Sequence, residues 1–253
     1  MPEDTLISLS GVYKKFGNKP VLRDLALDVR LGETIVIIGR SGEGKSVLLK
    51  IILNLIEPDK GSIYYKKDNV LNFTQKEHEK FLKNFGMLFQ GSALFDSLTV
   101  AENVVFGLRR TSHYSEHELD KIVSDKLALV GLKNIQEAYP SELSGGMQKR
   151  VALARAIAMS PEVMLYDEPT TGIDPVMSDV INELIIKLKR KLNVTSIVVT
   201  HDMTSAYKVA DRIAMLHEGK IVEIASPQEI RQTSNPLVKQ FITGSSHGPI
   251  CNL

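Results

Sequence analysis

The chain has 253 residues, 43% hydrophobic and 24% charged, with a formal net charge of +1. That length and apolar share suit one large soluble domain, or a domain carrying an inserted lobe, with side chains enough to bury a core. The balanced charge offers no basic field to nucleic acid; the single cysteine, Cys251, builds no disulfide framework and fits a reducing compartment; and no apolar run approaches the ~18 residues that cross a bilayer.

The start, "MPEDTLISLSG", is acidic and lacks a long apolar run, so it does not read as a signal peptide. If membranes matter, the span is expected from another chain. The stretch "LISLSGVYKKFGNKPVLRDLALDVRLGE" alternates apolar and polar residues in two runs broken by "FGNK", which predicts antiparallel strands at a sheet edge. "TIVIIG" (34–39) is a compact β-branched run of the kind buried on both faces of a parallel sheet. A glycine-rich turn follows, then a helix in "KSVLLKIILNL". "FGMLFQ" (85–90) is a second core strand. The region from about 116 to 158 is expected to be mostly helical, with "ELDKIVSDKLALVGL" amphipathic and "SGGMQKRVALARAIAM" a further helix. Strand "VMLYDEP", helix "DVINELIIKLKRKL" and strand "TSIVVTHD" come next. Short strands "RIAMLHEG" and "KIVEIA" lead into the helical ending "SPQEIRQTSNPLVKQFITG". Strands alternating with helices predict an α/β fold with a mostly parallel sheet.

Four strand ends carry chemistry. "GRSGEGKS" (39–46) matches the G-x-x-x-x-G-K-S phosphate loop, and it sits between a strand and a helix as that loop requires. Gly39, Gly42 and Gly44 let the backbone turn tightly and aim N–H groups at phosphate, and Arg40, Ser41 and Glu43 complete the turn. Lys45 would reach the terminal phosphates, Ser46 would offer its hydroxyl to Mg2+, and Val47 continues the helix. "VMLYDEP" sets four apolar residues before Asp167 and Glu168, delivering two carboxylates to the carboxyl edge of the sheet. Asp167 would hold Mg2+, and Glu168 would orient or deprotonate an attacking water. Taken alone, that stretch would be a strand ending in solvated acids; the phosphate loop upstream changes its meaning. "IVVTHD" brings His201 to a strand end, where it could sense the terminal phosphate. Gln90 closes "FGMLFQ" with an amide able to meet Mg2+ and water.

In this order, with "LSGGMQ" (143–148) and "TTGIDP" (170–175), these motifs resemble the nucleotide-binding subunit of ABC transporters, over nearly the whole chain. The resemblance implies a P-loop ATPase (RecA-like) core with an N-terminal antiparallel β subdomain and an inserted helical lobe near 91–160. One domain would run over 5–244, followed by a tail at 245–253. Phe16 matches the aromatic that stacks on adenine, with Tyr13 the weaker choice. Ser144, Gly145 and Gly146 would start a helix that covers the terminal phosphate of ATP bound to a second copy, with Asp174 at the seam of a head-to-tail homodimer. Gln148 follows Met147, whereas many relatives place glutamine directly after the glycine pair; the backbone that binds the anion is unaffected.

The cargo is less plainly written. Arg40 and Val47 in the phosphate loop, the small "GSA" run after Gln90 and "PSELSGGMQKRVALARA" are similar to the ATPases of bacterial lipid transporters that work with Mce-domain proteins. That likeness implies ATP and Mg2+ as cofactors and phospholipid as cargo. The partners would be a separate membrane permease, received by an apolar groove over 92–108, and an Mce-type periplasmic protein; nucleic acid is not expected. The location would be the cytoplasmic face of a bacterial inner membrane. An ATPase for polar solute import is the alternative. A non-transport ATPase of this superfamily fits less well, because the chain has neither a long coiled coil nor a second cassette.

Overall fold

The computed structural model describes residues 4–111 and 114–252; the side chain of Cys251 lies outside the described residues. The chain divides into two compact units, one formed by Met1–His78 with Ile197–Leu253 and the other by Glu79–Ser196.

The first unit opens with β1 (Thr5–Phe16) and β2 (Lys19–Arg30), an antiparallel pair in which Leu9 faces Leu27 and Val12 faces Leu25. Along β2, Leu25, Leu27 and Val29 alternate inward, the period-2 pattern that fixes which face is buried. β3 (Thr34–Ile38) is buried at every position, as its unbroken β-branched run requires. α1 (Lys45–Ile52) follows, then β4 (Lys60–Tyr65) and β5 (Asp68–Asn69). β1 and β2 pair antiparallel with β2 at a sheet edge, as the sequence suggested. They belong to a separate four-stranded sheet in the order β2-β1-β4-β5. β4 gives no strong signal of its own, because "KGSIYY" is short and opens on lysine and glycine; β1 recruits it by pairing Leu9 with Ile63.

α2 (Gln75–Leu82) leads into the second unit. There β6 (Phe85–Leu88) is followed by α3 (Val100–Thr111), α4 (Glu116–Leu129), α5 (Gly145–Ala156), β7 (Val163–Asp167) and α6 (Pro175–Leu192). β6 and β7 pair in parallel, Phe85 opposite Val163 through Leu88 opposite Tyr166. α3 and α4 both pack on α5. α4 starts at a capping box in which Ser115 and Glu118 satisfy each other's backbone N–H groups. α3 occupies half of the stretch expected to form an apolar groove. Its apolar residues Val100, Val104, Val105 and Leu108 are buried at helical spacing, and buried Asn103 bonds the Phe95, Leu98 and Thr99 carbonyls. Phe95 nonetheless stays 42% exposed, its ring centroid 4.3 Å from that of Phe106.

β8 (Thr195–Thr200), buried throughout, carries the chain back into the first unit. α7 (Met203–Val209), β9 (Arg212–His217) and β10 (Lys220–Ala225) follow; β9 pairs in parallel with β3 and antiparallel with β10. The helical ending is two helices, α8 (Pro227–Arg231) and α9 (Pro236–Thr243). The break falls where Asn235 caps α9 and Pro236, which has no N–H to donate, takes its first position. From within α9, buried Gln240 donates to the Ser245 carbonyl and accepts from the Ile250 N–H.

Candidate functional site

The residues singled out in the sequence fall into two groups, one in each unit. In the first unit the 39–47 loop leads into the start of α1. Gly44 is the N-cap, with φ of 100° in the left-handed region; a Cβ there would meet Val21 Cγ1 at 2.7 Å. Only glycine takes that conformation without strain and tolerates the close approach. No side chain caps α1, and no acidic residue stands in its first turn, so its end presents backbone N–H groups and the positive pole of the helix dipole. Lys45 is buried, and its Nζ donates to the carbonyl oxygens of Gly39 (2.7 Å) and Arg40 (3.2 Å), which holds the ammonium over the loop. Arg40, Ser41 and Gly42 are exposed, and Ser46 and Val47 are half-buried on the first turn of α1.

Glu43 places a carboxylate inside a loop suited to anions. It is turned aside: Oε2 accepts from the backbone N–H of Glu218 at 2.6 Å, and Oε1 lies 3.3 Å from His217 Nδ1. The turn between β9 and β10 therefore braces the loop. Phe16, at the end of β1, is 48% exposed, with Lys14 Nζ 5.6 Å from its ring centroid. His201 is exposed just past β8, and the next residue, Asp202, caps α7 through Thr204 and Ser205.

In the second unit β7 delivers Asp167 and Glu168, both 8% exposed. Glu168 has φ of 48°, a left-handed conformation that costs a non-glycine residue on the order of 1–3 kcal/mol and persists only where the surroundings enforce it. Its Oε2 accepts from Thr171 Oγ1 at 3.3 Å, and its carbonyl accepts from the Thr171 N–H at 3.2 Å. Gln90 is exposed beyond β6, and its carbonyl accepts from Lys149 Nζ at 2.9 Å. Burial pushes the Lys149 ammonium below the ordinary lysine range, and the Glu168 carboxylate opposes that shift. Neither Lys149 nor Thr171 stood out in the sequence: a lysine in "MQKR" reads as part of a solvated helix face.

The opening of α5 is a second glycine-rich helix start. Ser144 is the N-cap, and its Oγ accepts from the Met147 N–H at 3.3 Å. Ser144 and Gly145 are exposed, while Gly146 is buried so close to α6 that a Cβ would meet Met177 Cε at 2.5 Å. Gln148, displaced by one position from the usual pattern, turns inward and donates to the carbonyls of Pro140 (2.9 Å) and Leu143 (3.3 Å). Asp174 caps α6, its Oδ1 accepting from the N–H groups of Val176 and Met177, both at 3.0 Å. The two caps, Ser144 and Asp174, thus lead helices that touch at Gly146.

A family model described as "ABC transporter" matches residues 22–171, more than half of the chain and the segment that carries the phosphate loop, the "LSGGMQ" turn and the β7 carboxylates. The chain belongs to the ABC transporter family. It is 42% identical to Protein TRIGALACTOSYLDIACYLGLYCEROL 3, chloroplastic, of Arabidopsis thaliana, over 98% of this chain and 76% of that one. It is 39% identical to a probable ribonucleotide transport ATP-binding protein of Mycobacterium leprae, over 99% and 72%. To the intermembrane phospholipid transport system ATP-binding protein MlaF of Haemophilus influenzae it is 38% identical, over 97% and 93%. Among solved structures, a dimeric ATP-binding cassette in a post-hydrolysis state with ADP and phosphate superposes with a TM-score of 0.80 at 32% identity, covering 87% of this chain and 98% of that one. The expected α/β fold of a P-loop ATPase is borne out, and this ABC transporter subunit binds and hydrolyses ATP. Among the described residues no helix is long and apolar enough to cross a membrane.

Proposed function

We propose that this subunit powers phospholipid movement through a separate membrane permease, as one of two copies that sandwich ATP between them. The observation that carries the reading is the exposed start of α5: a capped helix end with Gly145 open to solvent, in a chain whose phosphate loop already has its own helix end and its own lysine. Two subunits packed head to tail would bring Ser144, Gly145 and Gly146 of each, with Asp174, over the terminal phosphate held by the other's Gly39–Val47 loop, closing two equivalent sites. Phe16 would stack on the adenine.

A serine hydroxyl, a carboxylate and an amide are oxygen donors of the kind Mg2+ takes, and Ser46, Asp167 and Gln90 would supply them. Bound there, the metal would neutralise charge on the phosphates. Glu168 would take a proton from the attacking water as the water oxygen bonds to the terminal phosphorus and the bond to the bridging oxygen breaks; the products are ADP and phosphate. His201 would contact that phosphate and register its loss.

The cargo reading rests on the likeness to MlaF and on the phosphate-loop residues Arg40 and Val47. The half-exposed Phe95–Phe106 pair offers a permease an apolar landing point. We place the subunit on the cytoplasmic face of a bacterial inner membrane, with an Mce-type protein on the far side, and take 5–244 as one nucleotide-binding domain whose helical lobe spans about 91–160. The alternative reading is a polar solute as cargo.

Purifying the subunit with its membrane partners separates the two readings. A permease together with an Mce-type protein and extractable phospholipid supports lipid transport; a soluble solute-binding partner and no lipid rejects it. Ser144→Arg should abolish ATP-driven dimers while the monomer still binds nucleotide; normal dimers would remove the role given to α5.

A further inference from the structure

Helix α5 does more than start in glycines: two of its cations grip the segment that follows β6. Lys149, only 4% exposed, donates to the Gln90 carbonyl at 2.9 Å. Arg155 donates from Nη1 to the Ala93 carbonyl at 2.7 Å and from Nη2 to the Ser92 carbonyl at 2.8 Å. Its guanidinium carbon also lies 5.9 Å from the Phe95 ring centroid. Three backbone carbonyls within four residues are thus held from one helix.

The held segment is strained. Ser92 and Ala93 have φ of 62° and 50°, left-handed conformations that persist only where neighbours over-determine them. The charge-assisted bonds from α5 supply that constraint. The Lys149 ammonium also feels the carboxylate of Glu168, itself buried and left-handed. One side chain therefore touches the Gln90 backbone and stands within electrostatic reach of the residue that follows β7. If Lys149 served only to fill space, a methionine of similar length would do as well or better, since a buried charge is costly to keep.

We propose that Lys149 and Arg155 are positioning residues that fasten the 90–93 loop to α5, so that Gln90, Glu168 and the Ser144–Gly146 helix start shift as one body. This rests on the reading of Glu168 as the base that activates water. A push on the aromatic pair at Phe95 is then delivered through three carbonyls to the catalytic carboxylate. The two cations touch no substrate; they act through the loop and through Glu168.

The test uses the full chain with Lys149→Met, Arg155→Met and the double variant, measuring kcat, KM for ATP, affinity for a fluorescent ATP analogue and thermal stability. Lys149→Met is expected to keep its melting temperature and bind nucleotide within about twofold of wild type, while kcat falls roughly tenfold or more, the usual scale for losing a supporting contact behind a catalytic group. The double variant should lose less than the product of the single losses, because both cations hold one loop. A Lys149→Met variant with wild-type kcat overturns the proposal, as does a loss confined to KM. If Lys149→Met does not fold, Arg155→Lys carries the test: it keeps the charge and gives up the two-pronged grip, so an unchanged kcat overturns the proposal and a lowered kcat at constant KM supports it. Glu168→Gln run in parallel separates the two levels. Dead Glu168→Gln with active Lys149→Met sinks the clamp alone; active Glu168→Gln sinks the assignment of the base and the clamp with it.

Discussion

The chain contains two helix starts built on glycines, and they solve different problems. α1 begins at a left-handed glycine with no side-chain cap, and Lys45 folds over the loop that precedes it. Uncapped N–H groups and an ammonium together make a complete anion cradle. α5 begins at an extended serine whose hydroxyl has already taken the Met147 N–H. Its three cations are all committed within their own unit: Lys149 to the Gln90 carbonyl, Arg150 to that of Gly131, and Arg155 to those of Ser92 and Ala93. This second start offers dipole and backbone but little charge. It can favour a phosphate that something else has already neutralised and is poorly equipped to capture a free one. A cradle and a cover differ in this way, and the difference explains why one chain carries both.

The widest gap between the two regions should open at Glu168. Glu168→Gln keeps shape and hydrogen bonding but cannot take a proton; kcat should fall by roughly 10²–10⁴-fold, the scale of general-base catalysis, while ATP stays bound. Single-turnover hydrolysis together with equilibrium binding measures both, and wild-type turnover would strike Glu168 from the mechanism. Next comes Lys45→Ala, which removes charge-assisted bonds from the cradle and should weaken ATP affinity by roughly 10- to 100-fold, read by titration calorimetry. Should the affinity hold, α1 would be no better an anion site than α5, and the contrast would collapse. The smallest effect belongs to Ser144→Ala. Losing the cap should cost about 1 kcal/mol, a fall of about 2–4 °C in melting temperature, with nucleotide affinity of the monomer unchanged. A loss of monomer affinity as large as that of Lys45→Ala would mean that α5 serves its own chain's nucleotide.

How much of this could be read beforehand depended on whether the signal was local. β3, β7 and β8 are short runs rich in β-branched or apolar residues, buried at every position and leading directly into functional residues, so the strands and what they deliver were legible together. The Ser144 cap and both glycine turns were legible for the same reason, since side-chain caps and left-handed turns are fixed by a few neighbouring residues. α3 falls inside the helical lobe expected near 91–160 but was not singled out as a helix, although Val100, Val104, Val105 and Leu108 recur at helical spacing; Leu94, Phe95 and Leu98 just before it drew the stretch toward a surface role. β4 depends on β1 for its partner and has little pattern of its own. The inward lysine of α5 was illegible in principle: "QKR" on a helix reads as solvent-facing, and only tertiary packing turns Lys149 toward a carbonyl 59 residues upstream.

The Glu43 tether has a consequence for biosynthesis. A carboxylate among the phosphate-binding amides would repel a polyphosphate if left loose. What draws it off is a hairpin backbone 175 residues later in the chain. The nascent polypeptide therefore emerges from the ribosome with its ATP cradle written early and finished late. Until the strands around His217 and Glu218 arrive, the growing chain holds a loop that still carries its own competitor for the nucleotide.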